Sequence, residues 1–154
     1  MDNIIKFNDY LNESKKDNKK TDKKGFNSNI EKDTIDNEHF RKVLYTGENL
    51  QLVLMTLKPE EEIGLETHSN TDQFFRFEEG HGKCIINDNE YIVGDGDAII
   101  IPAGSKHNII NTDKKKLLKM YTIYTPPHHK DKIEYKTKEE AEKSDEEFDG
   151  EITE

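Results

Sequence analysis

Tryptophan is missing from the sequence, and cysteine and proline are scarce, with one and four residues. A lone Cys84 excludes an internal disulfide and a cysteine-based zinc cluster. No apolar run reaches the roughly 18 residues that a membrane-spanning helix needs. The opening stretch, MDNIIKFNDYLNES, has no cationic start followed by an apolar block, so no secretory signal is read there. Positive charge is in the minority: 23 Lys and Arg face 33 Asp and Glu, for a net charge of −10. Such a balance does not draw nucleic-acid phosphates or anionic membranes. Apolar residues are also few, at 31% against 36% charged. A core spread over the whole chain would be thin. A soluble cytoplasmic protein is the simplest reading.

The apolar residues that exist are concentrated between Phe40 and Pro127. There RKVLYT, NLQLVLMTL, IGLETH, QFFRFEE, GKCIIN, EYIVG, AIIIP, HNIIN and LLKMYTIYT alternate or run apolar, with β-branched and aromatic residues. The breaks between them hold Gly, Asn, Asp and Pro. Short strands at 8–12-residue intervals indicate an all-β sandwich or closed barrel. Asn87-Asp88-Asn89 reads as a hairpin turn. Residues 1–39 are expected to form a largely flexible arm and Lys-rich linker, with a short helix or strand within 1–11. Residues 40–127 are expected to form the barrel. Beyond it, Thr137 with Glu140 three positions later suggests a capped helix to about Lys143. Residues 145–154 read as an acidic disordered tail. Removing that tail is then expected to leave the melting temperature nearly unchanged.

The chemistry-bearing residues lie in two stretches of the barrel region, Glu60–Gly80 and Gly96–Asn111. Glu66 and His68 are two apart in a strand-like segment, so both side chains share a face. Gln73 begins one following strand and His107 another. If the strands curl into one small barrel, the four can converge as nitrogen and oxygen ligands on a rigid frame. The plainer alternative is a set of polar side chains lining a metal-free pocket or facing solvent. Gln73 has a further alternative, hydrogen bonding to a neighbouring ligand or to a substrate. Arg76 alternates with Phe75 and Phe77 and is expected to face outward. His81 reads as a surface turn residue, and His128 and His129 as loop residues after Pro126-Pro127. Cys84 reads as a small core residue. Met55, Tyr121 and Ile123 lie on strands whose facing the pattern leaves open.

These stretches resemble the two motifs of the cupin superfamily in its small single-domain form. The second motif is complete: Gly96, Pro102, Gly104, His107 and Asn111 stand at the family's spacing. The first keeps its spacing, with Glu60, Glu66, His68, Gln73 and Gly80, but only His68 and Gly80 keep the residue type. Its wording, ETHSNTDQFFRFEEGHG, is similar to the cupins grouped as mannose-6-phosphate isomerase-like. The resemblance implies a jelly-roll β-barrel (a double-stranded β-helix), a site inside the barrel mouth and a homodimer. It also implies a divalent metal, Zn, Mn, Fe or Ni, on Glu66, His68, Gln73 and His107. One carboxylate is lost at 73 and another gained at 66, so the charge of the set is kept. Two functions follow as expectations. One is a metal-dependent protein acting on a small polar metabolite of sugar or sugar-phosphate type, in catalytic form an isomerase or epimerase. The other is a non-catalytic module that binds or senses a small ligand without a tight metal.

Overall fold

The computed structural model describes residues 22–154. The element expected over 1–11 and part of the Lys-rich run therefore lie outside the described residues. Ten strands form two antiparallel sheets. They are β1 (Arg41–Thr46), β2 (Gln51–Leu57), β3 (Glu66–Thr67), β4 (Asp72–Glu79), β5 (His81–Ile86), β6 (Asn89–Gly94), β7 (Ala98–Ile101), β8 (Lys106–Asn111), β9 (Leu118–Thr125) and β10 (Glu134–Tyr135). One sheet has the order β10-β1-β2-β9-β4-β7 and the other β3-β8-β5-β6. This is the expected all-β jelly roll.

The core is made by the alternating inward residues of both sheets. From the larger sheet come Val53, Met55, Leu57, Phe75, Phe77, Met120 and Tyr124, and from the smaller Cys84, Val93 and Ile109. Cys84 is fully buried, and burial pushes its thiol up to about 12. Met55 faces in, whereas Tyr121 and Ile123 lie half-buried on the outer face. The β5–β6 hairpin turns where expected, with Asn87 at φ 51°. IGLETH is a strand only at Glu66–Thr67, because Gly64 takes φ 109° and its N–H goes to Asn108 Oδ1 rather than to the ladder. Asn111 closes the second motif as a clamp. Its fully buried amide reaches the carbonyls of Leu57, Lys58 and Lys116, and its Oδ1 accepts from Asp113 N–H.

Among the described residues, two short helices accompany the barrel. The later one, Lys138–Glu142, is capped as expected by the Thr137 hydroxyl, which accepts from Glu140 N–H. Glu140 reaches back to Lys136 N–H, one residue beyond the cap that the usual reciprocal box would use. The earlier one, α1 (Ile30–Asp36), falls in the stretch expected to be linker. Asn29 caps it, Glu31 and Asp33 occupy its first turn, and the Lys119 ammonium donates to Ile35 C=O. The helix Lys138–Glu142 is α2 below.

The acidic tail also departs from its composition. Glu146 accepts from His129 Nδ1 and from Lys130 N–H, each at 2.9 Å. Thr153 exchanges hydrogen bonds with Thr46, and the Glu154 carboxylate accepts from the N–H groups of Lys24 and Gly25. Side-chain-to-backbone bonds tie down a segment that has almost no apolar surface to bury. Truncation after Ser144 is therefore expected to lower Tm by roughly 5–10 °C, because a buried His129 nitrogen and several backbone groups lose partners. An unchanged melting curve would show that the tail contributes nothing.

Candidate metal centre

The site is assembled by register. Glu66 on β3 pairs directly with His107 on β8, which brings their Cβ atoms to about 5 Å. His68, two residues beyond Glu66, falls on the same side. Its carbonyl is held at 2.7 Å by the N–H of Gly104, which sits at φ 82° in the turn leading into β8. That bond joins the two sequence motifs physically and explains a glycine at 104, since the left-handed conformation costs an L side chain about 1–2 kcal/mol. On the opposite sheet a buried row crosses the strands: Thr46, Gln51, Tyr124, Gln73 and Ile101. Gln73 therefore looks into the barrel.

Donor atoms of Glu66, His68 and His107 all lie within 4.8 Å of one another. Glu66 Oε2 is 3.4 Å from His68 Nε2 and 4.0 Å from His107 Nε2. Four donors about 2.1 Å from a common ion would be roughly 3.4 Å apart in a tetrahedron, so these spacings suit one ion. His107 Nδ1–H donates to Ser105 C=O at 2.9 Å, which leaves Nε2 as the lone-pair nitrogen. Both Nε2 atoms are buried without a hydrogen-bond partner. So is Gln73 Oε1, while the Gln73 amide nitrogen donates to Thr122 Oγ1 at 3.0 Å. Two unpartnered imidazole nitrogens within reach of one carboxylate, with an unpartnered amide oxygen on the facing sheet, fit a divalent ion.

The electrostatics agree with ligands in their metal-ready forms. Burial holds the His107 imidazole below its ordinary value, outweighing the Ser105 bond and the Glu66 charge that favour the cation. Burial alone would raise Glu66, but the proximity of His68, 3.4 Å away, and the charge of the Arg41 guanidinium bring it below the usual carboxylate range. At neutral pH His107 is thus a neutral imidazole beside the Glu66 carboxylate.

Other residues stand around it. Arg76 points outward and pairs with Glu78 at 3.2 Å, and His81 lies on the surface, as expected. His128 and His129, expected as plain loop residues, are part of the wall. The His128 ring lies 4.2 Å from that of His68 and stacks on Tyr124. Burial, together with the neighbouring His129 and His68, pushes its pKa down to about 4. His129 bridges Glu146 and the Tyr124 hydroxyl. The doublet after Pro126-Pro127 was a visible signal, but pattern gives no measure of how far a loop folds back. Arg41 was also missed: it begins β1, faces inward and is 8% exposed.

The family described as "Cupin domain" matches residues 53–124. An uncharacterized protein of Bacillus subtilis, YrkC, is 42% identical over 77% of this chain and 66% of its own length. An uncharacterized protein of Acanthamoeba polyphaga mimivirus is 40% identical over 66% of this chain and 65% of its own. The chain thus spans about two thirds of the length of these two relatives. Among solved structures, BH2720 from Bacillus halodurans is 40% identical, covers 80% of this chain and 98% of its own, and superposes with a TM-score of 0.77. Neighbours below 20% identity, such as TT1209 from Thermus thermophilus at a TM-score of 0.54, share the fold alone. With the double-stranded β-helix in place, and with the motif residues bound to one another as described, the chain belongs to the cupin superfamily.

Proposed function

We propose that this cupin holds a divalent ion on Glu66, His68 and His107, with Gln73 Oε1 as a neutral fourth donor. It presents the ion to a small polar metabolite of sugar or sugar-phosphate type. The observation that carries this reading is the convergence of His68 Nε2 and His107 Nε2, both buried and unpartnered, with the Glu66 carboxylate; Gln73 Oε1, also buried and unpartnered on the facing sheet, supports it as the fourth donor. Each such atom left bare costs about 1–3 kcal/mol, and a ligand at the common point removes the cost. Two imidazoles, a carboxylate and an amide suit Zn, Mn, Fe or Ni better than the all-oxygen cations.

When bound, an ion of this class polarises a carbonyl or hydroxyl of the metabolite. The chain's own residues do the rest. Ser105 C=O fixes the His107 tautomer, and Gly104 pins the His68 backbone. Isomerase- or epimerase-type chemistry also needs a proton acceptor of higher pKa than His128, which burial keeps neutral beside His68. The homodimer implied by the resemblance is supported by an apolar row on the outer face of the larger sheet, Leu52, Ile123, Phe74 and the exposed Ile100. A second reading, a module that binds or senses a small ligand without turnover, is favoured by one residue. Gln73 replaces a carboxylate with a weaker donor.

Elemental analysis of the purified protein tests the first reading. About one ion per chain is expected, with loss of nearly all of it in both His68→Ala and His107→Ala. A folded parent protein without metal, even after incubation with these ions, would leave only the second reading.

A further inference from the structure

Among the described residues, Arg41 carries a charge that no hydrogen bond or close ion pair answers. The residue is 8% exposed, and its guanidinium lies 5.4 Å above the Phe40 ring. Its Nε is buried without a hydrogen-bond partner. Arg41 acts on Glu66 and Glu146 through charge alone, with no hydrogen bond to either. Arg41 and Glu66 instead line a common half-open cavity of about 150 Å³, together with Lys138, Ala141 and Glu142. Lys138 and Glu142 face each other at 3.6 Å and largely cancel. A guanidinium stays protonated at any accessible pH. Burying it with carboxylates in range but none hydrogen-bonded to it works against folding. A planar fork of donors facing a small cavity has the geometry that recognises an oxyanion.

We propose that Arg41 anchors the carboxylate of a small carboxylic acid in this cavity, beside the Glu66–His68–His107 cluster, so that the rest of the molecule extends toward that cluster. The inference deepens the metal reading by naming the substrate class, and rests on it only for what lies at the other end of the molecule. A cavity of about 150 Å³ corresponds to roughly five water volumes, enough for a carboxylate and a few further atoms. Glu66 and Glu142 on the same walls disfavour the second negative charge of a phosphate ester. A monoanion is the better match.

Calorimetric titration with lactate, inorganic phosphate and glycerol, on metal-loaded and metal-free protein, tests this. Lactate is expected to bind, glycerol not. The affinity should fall at least tenfold in Arg41→Met with bound metal unchanged. Arg41→Lys should fall between the two, since an ammonium lacks the fork. Without ligand, Arg41→Met should melt at or above the parent temperature, because an unpaired buried charge is gone. A merely structural arginine would give the reverse: a lower Tm with lactate affinity unchanged. The proposal is also overturned if lactate binds no better than glycerol, if neither form binds lactate up to roughly 10 mM, or if phosphate binds tighter than lactate. Arg41-dependent lactate binding by a protein that takes no metal would keep this inference and sink the metal reading alone.

Discussion

Gly80→Ala should unfold the protein or lower its stability by roughly 3–5 kcal/mol, a fall in Tm on the order of 10 °C or more. Gly80 closes the first motif and sits where the chain leaves β4 in one sheet and enters β5 in the other. Two costs coincide there. Its φ of 85° lies in the left-handed region, worth about 1–2 kcal/mol against an L side chain. A Cβ would also meet Leu117 C=O at 2.2 Å and Leu118 Cα at 3.1 Å, both backbone atoms that cannot swing aside. They lead directly into β9, which pairs with β4 and β2 across the centre of the sheet. Gly64→Ala is the control. Its φ of 109° is also left-handed, but a Cβ there meets nothing within 4 Å. Only the conformational cost of about 1–2 kcal/mol is expected. Thermal melts of the two variants that coincide would show that close approach at Gly80 does not matter.

Gln51→Leu is expected to cost about 3 kcal/mol or more, and to loosen the loop that carries His128 and His129. Gln51 is fully buried at the start of β2. Its Nε2 donates to Thr46 Oγ1 at 3.0 Å and to His129 C=O at 2.7 Å, and its Oε1 accepts from the N–H groups of His128 and His129. Leucine fills the volume but strands up to four polar groups, each worth about 1–3 kcal/mol when buried and unpaired. Denaturant midpoints measure the loss. Amide exchange localises it, with faster exchange expected at His128 and His129 and little change at Ile109. A midpoint equal to that of the parent, or uniform acceleration of exchange, would remove Gln51 from this role.

The β-strands were readable because apolar alternation and turn residues repeat at short, regular intervals. The pairing partners of Glu66 and His107 were readable only through their spacing within the cupin motifs. Three features stayed hidden, each for a physical reason. The helix α1 offers just Ile30 and Ile35 as apolar residues, so its Asn29 cap and acidic first turn stand in a stretch that looks solvated. The tail is held by hydrogen bonds from Glu146, Thr153 and Glu154, and composition measures burial rather than bonding. Arg41, at the first position of β1, is an ordinary charged residue in the chain. Its meaning comes from a cavity formed by β1, Glu66 and α2, which no local pattern encodes.

Three of the four candidate donors hang on a single two-rung ladder, Glu66 opposite His107 and Thr67 opposite Lys106, with His68 one step beyond. The fourth, Gln73, belongs to the facing sheet, as do Tyr124 and Arg41. The carboxylate and the two imidazoles are therefore fixed relative to one another by one sheet, and their gap to the amide, the phenol and the guanidinium is set by how the two sheets pack. A core substitution that changes the sheet spacing would then alter that gap and leave the Glu66–His68–His107 triangle as it is.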